Sequence, residues 1–269
     1  MVTNFFETHA HLCDPAFDSD REKAIEASFA AGVSPIVEIA CSPAEWQKAL
    51  DLCSRHPGKI YCACGLHPHE CDSALPRNLA SLKESLKSPA AVAIGESGLD
   101  YFRSRFSRDE QLRVFSMVID TANATGKPFV IHCRNSMPAA QNAYADVLAV
   151  LKKEWKIASG GRFSGVLHCF LGSCRDAIEG MDMGLALGVN GTLTYPKNNG
   201  LRETIRKAGI GNVVLETDCP YLPVQSDRGK RNDPTSIPVI ARALGGLFGL
   251  SEVETADFTT RNALELFRL

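Results

Sequence analysis

Two histidines two residues apart, His9-Ala10-His11, follow the first apolar run of the sequence. Alternate residues of an extended chain project to the same side, so both imidazoles can face one point. Four more groups of similar chemistry close later apolar runs: Glu96 after Ala-Val-Ala-Ile-Gly, His132 after Phe-Val-Ile, His168 after Gly-Val-Leu, and Asp218 after Val-Val-Leu-Glu-Thr. A carboxylate at the end of a buried strand is costly unless it is paired or metal-bound. Taken singly, each residue has an ordinary reading as loop polarity, an ion-pair partner or a hydrogen-bonded core histidine. Chance placement of the whole set is improbable. Imidazole and carboxylate together suit divalent ions such as zinc, magnesium, manganese or nickel rather than a thiolate-preferring site. Six donors exceed one tetrahedral ion, and two divalent metal ions sharing a bridging carboxylate account for the number. Cys133, Cys169 and Cys219 directly follow three of the donors. Adjacent strand residues point to opposite sides, so these thiols are expected to face away from the metals.

The elements that must carry these groups alternate. Short runs rich in Val and Ile at 4–8, 33–40, 60–64, 91–96, 128–133, 164–169, 185–191 and 212–218 read as buried parallel strands. Helical stretches are expected at 20–31 and 107–125, each followed by a glycine suited to a helix C-terminus (Gly32, Gly126), and at 137–155, 199–208, 236–250 and 251–267. Eight alternating strands in this length predict an α/β fold, a (β/α)8 TIM barrel in a single domain spanning 1–269. A doubly wound open sheet is the second choice; the absence of a Gly-rich loop after the first strand argues against a dinucleotide-binding version. Six of the seven histidines, all but His56, fall at or just after strand C-termini, the end that forms the active-site face of such a barrel.

Composition narrows the class further. The chain has 269 residues, 45% hydrophobic and 22% charged, as ordinary globular proteins do. The net charge of −2 gives no overall pull toward polyanions, so any such binding must rest on local basic clusters. The first residues show no basic-then-apolar leader, and no apolar run approaches the roughly 18 residues of a membrane helix. A cytoplasmic location is therefore expected. Ten cysteines with no C-x-x-C pair are expected to be reduced thiols rather than a disulfide framework.

Seven blocks, in order along nearly the whole chain, resemble the TatD family of metal-dependent deoxyribonucleases. They are Glu7-Thr-His-Ala-His-Leu12, Gly65-Leu-His-Pro-His69, Ala93-Ile-Gly-Glu-Ser-Gly-Leu-Asp-Tyr101, Pro128-Phe-Val-Ile-His-Cys-Arg134, Gly165-Val-Leu-His-Cys-Phe170, Glu216-Thr-Asp-Cys-Pro-Tyr-Leu-Pro223 and Arg228-Gly-Lys-Arg-Asn-Asp-Pro234. The resemblance implies hydrolysis of DNA phosphodiester bonds, often from the 3′ end. It implies one metal held by His9, His11 and Asp218, a second held by His132 and His168, and Glu96 bridging them. This chain departs from the family pattern at Asn135, where an acid is usual, at Ser97, and at Asn190-Gly-Thr. Asn135 leaves open what orients His132, because ligating histidines lean on a carboxylate or carbonyl.

With that substrate, Asp218 is the expected general base and Glu96 the second carboxylate at the reacting centre. His67 and His69, stiffened by Pro68, are assigned to substrate phosphate, as are Arg134, Arg228, Lys230 and Arg231. Arg103, Arg105 and Arg108 could form a second basic rim, and Tyr101, Phe102 and Tyr221 could stack on an unpaired base. The competing reading is a small-molecule hydrolase of the same superfamily acting on an amide, lactone or phosphoester. A strand-end lysine would favour that branch, and none competes with Glu96.

Overall fold

A computed structural model describes residues 4–136, 140–156 and 161–269. Eight strands run parallel in the order in which they occur: β1 Phe5–Ala10, β2 Val33–Ala40, β3 Ile60–Cys64, β4 Ala91–Asp100, β5 Phe129–Arg134, β6 Gly165–Leu167, β7 Leu185–Val189 and β8 Val213–Leu215. The first and last meet through the parallel bridge Ala10↔Cys219 and a bond from Thr8 Oγ1 to the Leu215 carbonyl, so the sheet closes into the expected barrel.

Outside the barrel lie α1 Arg21–Ala30, α2 Pro43–Arg55, α3 Pro76–Ser85, α4 Arg108–Thr125, α5 Ala143–Glu154, α6 Cys174–Asp182, α7 Asn199–Ala208, α8 Ile237–Phe248 and α9 Glu252–Phe267. α4 starts with a capping box between Ser107 and Glu110 and stops at Gly126, whose φ of 64° suits a residue without Cβ. α5 begins later than the pattern suggests, because Asn142 caps it; residues 137–139 of the expected helix lie outside the described residues. α2, α3 and α6 complete the alternation in addition to the helices expected from the sequence.

Strand ends also differ from expectation. β4 runs on to Asp100, whereas β6 and β8 stop after three residues. His168 and Asp218 therefore sit on the turns just past their strands. Backbone bonds from His168 N to the Ile131 carbonyl and from Asp218 N to the His9 carbonyl, both 3.0 Å, hold them to neighbouring strands.

One apolar cluster draws on every strand, with Phe6, Val37, Ala63, Val130, Val166 and Val214 among its members, but on only one helix, α9. It fills the barrel interior, and Leu266 and Phe267 of α9 plug the N-terminal end, Phe267 stacking on Phe6 at 5.7 Å. The polar groups lie above this dry floor. No single helix among the described residues is long and apolar enough to cross a membrane.

Candidate metal centre

Glu96 lies at the focus of the cavity, 3% exposed, and its two oxygens face different partners. Oε2 is 3.4 Å from His9 Nε2 and 3.9 Å from His11 Nε2. Oε1 is 2.5 Å from His132 Nδ1, 3.6 Å from His168 Nε2 and 3.9 Å from His67 Nε2. Asp218 completes the first group, with Oδ1 at 3.4 Å from His11 Nε2 and 3.7 Å from both His9 Nε2 and His168 Nε2. Donors held at about 2.0–2.2 Å by one tetrahedral ion stand roughly 3.3–3.6 Å apart. The His9 and His11 Nε2 atoms, 3.2 Å apart, and most of the separations above lie near that spacing. The donor sets His9–His11–Asp218 and His67–Glu96–His132 each fall within 4.8 Å. By chemistry and by spacing these residues fit divalent cations. His67 thus stands beside the proposed ligands, while His69 is further out, 41% exposed.

Buried acids hold the donors in place. Glu7 Oε1 accepts from the backbone N–H groups of His9 (2.9 Å) and Thr217 (3.0 Å), and burial pushes this carboxyl up to about 8. Glu38 accepts from Leu12 N at 2.7 Å and Cys13 N at 3.0 Å, fixing the turn that carries His11. Asp218 adopts a left-handed φ of 59°, a conformation unfavourable for a residue with Cβ unless its surroundings impose it.

Glu216 stands behind His168, 3.1 Å from Nδ1, and also accepts from Cys169 N at 2.7 Å. Asn190 donates to the same carboxylate at 3.4 Å. Gly188 makes room for it, since a Cβ there would come within 2.3 Å of Glu216 Oε2. Behind His132 stands Asp100, its Oδ2 at 3.4 Å from Nε2 and 3.2 Å from His69 Nε2. Asn135 does not take that role; it accepts from Ala143 N at 2.7 Å, at the start of α5. The carboxylate that orients His132 thus comes from β4.

Charges are coupled through the cluster. Burial alone would lower every imidazole. At His168 the neighbouring Glu216, Glu96 and Asp218 outweigh burial and lift it to about 9. Glu96 and Asp100 do the same for His132, and Asp218 and Glu96 for His11, each to about 9. His9 stays low because burial and the His168 ring, stacked at 3.4 Å, reinforce each other. His67 is also held well below the usual imidazole value, by burial and then by His132. Burial would raise Glu96 and Asp218, but the imidazoles hold both below the usual carboxylate range. A pocket that retains protons so firmly attracts positive charge, and a metal ion would displace those protons.

The centre opens into a cavity of about 830 Å³ whose wall includes Lys48, Arg103 and Arg134. The Arg134 guanidinium lies over the Phe102 ring, 4.8 Å from its centre. Among the described residues, Arg228, Lys230 and Arg231 are not in that wall. Arg228 stacks on Tyr195 and Lys230 pairs with Asp227. Arg231 makes a two-pronged bond to Asp20 at 2.6 and 2.8 Å and covers Phe17. Arg105 pairs with Asp72, and Arg108 with Asp146, which also accepts from the Tyr101 hydroxyl. Tyr221 and Phe102 are open to solvent at 53% and 44%.

All ten cysteines are free. Cys219 packs into the hydrophobic core and, among the described residues, is absent from the cavity wall, as expected; Cys133 packs into the core but also borders the cavity. Cys169 does not face away from the centre. Its φ of 46° breaks the extended alternation on which the expectation relied, and its Sγ comes within 4.8 Å of donor atoms on His168 and Asp218. Cys41, at the end of β2, was not anticipated; its Sγ lies 3.6 Å from Glu96 Oε2.

Asp100 and Glu216 were missed as well, although a signal existed. Each shares its position in the alternation with a nearby acid already singled out, Asp100 with Glu96 and Glu216 with Asp218. Glu38 is betrayed only as an acid inside an apolar strand.

Imidazoles and carboxylates converging at the C-terminal mouth of a parallel barrel define a metal-dependent hydrolase. Residues 6–268 match the family described as TatD related DNase, and the chain belongs to that family. It is 34% identical to the uncharacterized metal-dependent hydrolase YabD of Bacillus subtilis, over 98% of this chain and 99% of the relative. It is 31% identical to the 3'-5' ssDNA/RNA exonuclease TatD of Pantoea vagans, over 98% and 99%. The crystal structure of the TatD homolog YjjV from Escherichia coli superposes with a TM-score of 0.87 at 27% identity, covering 100% of both chains.

Proposed function

We propose that this chain removes nucleotides from the 3′ ends of DNA at a centre that takes two divalent metal ions. The observation that carries the reading is the division of Glu96, whose Oε2 faces His9 and His11 while Oε1 faces His132 and His168. Two faces of one carboxylate suit a bridge. On this reading His9, His11 and Asp218 would hold one ion and His132 and His168 the other, with His67 beside the second set. When bound, such ions neutralise charge on a phosphate and acidify water.

The protein's own groups supply the rest. Asp218, held ionised by the neighbouring imidazoles, takes the proton of the attacking water as general base. Glu216 and Asp100 hold His168 and His132 at fixed angles. Arg134 and Arg103 grip phosphate oxygens from the cavity wall, Arg134 already oriented by Phe102. His67 and His69 provide hydrogen bonds to the same phosphate. Arg228, Lys230 and Arg231 fit contacts to the strand outside the cavity, Arg231 only after releasing Asp20.

The exonuclease name carried by the Pantoea relative supports a nucleic-acid substrate with a free 3′ end. The test is release of mononucleotides from single-stranded DNA labelled at either end, with and without added Mg2+, Mn2+, Zn2+ or Ni2+. Metal-dependent shortening from the 3′ end is the expected result. Turnover of lactones or amides with intact DNA would overturn it in favour of a small-molecule hydrolase.

A further inference from the structure

The centre carries two sulfurs that the hydrolytic scheme leaves unused. Cys41 Sγ shares a 4.8 Å sphere with donor atoms of His11 and Glu96, and Cys169 Sγ shares one with His168 and Asp218. Both residues line the cavity and are partly exposed to it, so neither thiol is sealed in the core. The two come from opposite sides, Cys41 from the end of β2 and Cys169 from the turn after β6.

Each is aimed by its backbone. Cys41 N donates to Glu45 Oε2 at 2.6 Å, and the thiol reaches Glu96 Oε2 at 3.6 Å. Cys169 N is held by Glu216 at 2.7 Å, in a left-handed conformation that turns the side chain toward the cavity. Without that conformation the strand alternation would send the sulfur to the core, where Cys219 goes.

We propose that Cys41 and Cys169 act as thiolate donors, making this a centre that prefers zinc-class ions to magnesium or manganese. A metal–sulfur bond of about 2.3 Å and a metal–nitrogen bond of about 2.1 Å place two ligands of one tetrahedral ion about 3.6 Å apart. Cys41 Sγ already stands 3.6 Å from Glu96 Oε2, and Cys169 Sγ lies within 4.8 Å of its neighbouring donors, so side-chain rotation can bring sulfur into the coordination shell. Thiolate donors favour zinc and cobalt, whereas magnesium prefers oxygen and water. On ligation each S–H bond breaks, a sulfur–metal bond forms, and one proton per thiol passes to solvent. The inference rests on the reading that this centre holds divalent ions, and it concerns which ions it selects.

The full chain, stripped of metal and loaded with Co2+, tests it through the sulfur-to-cobalt absorption band of the near ultraviolet. The band is expected in the unmodified protein and in Cys174→Ser, which lies outside the cavity. It should weaken in Cys41→Ser and in Cys169→Ser and vanish in the double variant. The preference for Zn2+ over Mn2+, measured by competition, should fall about tenfold or more in the double variant. X-ray absorption at the zinc edge of the unmodified protein reads sulfur neighbours directly, so a variant that fails to fold does not leave the question open. Bound metal with no band and no sulfur neighbour overturns the thiol assignment and leaves the nuclease reading intact. A band without nucleotide release does the reverse.

Discussion

The candidate metal centre and the basic loop at Arg228–Arg231 lie near the same end of the barrel but are built differently. The centre hangs on strand ends, where backbone pairing with neighbouring strands fixes each Cα, and a second carboxylate then fixes the ring. The loop hangs on side-chain pairs: Arg231 on Asp20, Lys230 on Asp227 and Arg228 on Tyr195. A site that must hold donors within tenths of an ångström needs the first kind of support. Cations that follow a flexible strand can use the second, since each pair is worth little and can be exchanged for phosphate. Substitutions in the two regions should therefore fail differently, the first in metal binding and turnover, the second in affinity or stability alone.

The sharpest division is at Asp218. Asp218→Asn keeps the shape, removes the proton acceptor and should lower kcat by about 10³-fold with some metal retained. Chelation should abolish turnover and restore it on re-addition of metal. Near-normal kcat in the variant would remove Asp218 from its role and blur the distinction between centre and loop.

Next in size is the support behind His168. Glu216→Gln should weaken metal binding by about 10–100-fold, measured by competition with a chelating dye. Gly188→Ala should act in the same direction although it touches no metal donor, because its Cβ would meet Glu216 at 2.3 Å. If Gly188→Ala binds metal normally, Glu216 is not the rigid support described. Smaller again is Arg134→Ala. It should raise KM for DNA about tenfold with little change in kcat and reduce the salt dependence of binding by about one unit of slope. An unchanged salt slope would exclude contact between Arg134 and the phosphate backbone.

The same division explains what was legible beforehand. His9, His11, Glu96 and His132 could be read because a strand's alternation and its end convert sequence position into direction, whereas His168 and Asp218, just past β6 and β8, followed from the strand end alone. Cys169 defeated that rule through one left-handed residue, which no spacing announces. Arg231 and Arg108 could not be placed, because whether an arginine is free depends on an acid distant in sequence, Asp20 for one and Asp146 for the other. Three-residue β6 and β8 also looked longer than they are, since apolar residues continue into their turns.

The smallest expected effect lies furthest from the metal, and it tests whether the arginines after Glu96 are rim or scaffold. Arg108 binds Asp146 through two nitrogens at 2.8 Å each, and Tyr101 shares the carboxylate. The arginine bond holds Asp146 below the usual carboxylate range. A carboxyl whose folded value is depressed contributes stability that is present above its unfolded pKa, near 3.9, and is lost as pH falls through the folded value. The groups are 43% and 25% exposed, so screening limits the pair to about 0.5–1 kcal/mol. Asp146→Asn should then lower Tm by about 2 °C at neutral pH, with the difference shrinking below about pH 4. kcat/KM for DNA should stay unchanged. A loss of DNA affinity with no change in Tm would instead mean that Arg108 must be held out for phosphate. It would then belong with the cavity cations proposed to bind substrate rather than with the scaffold.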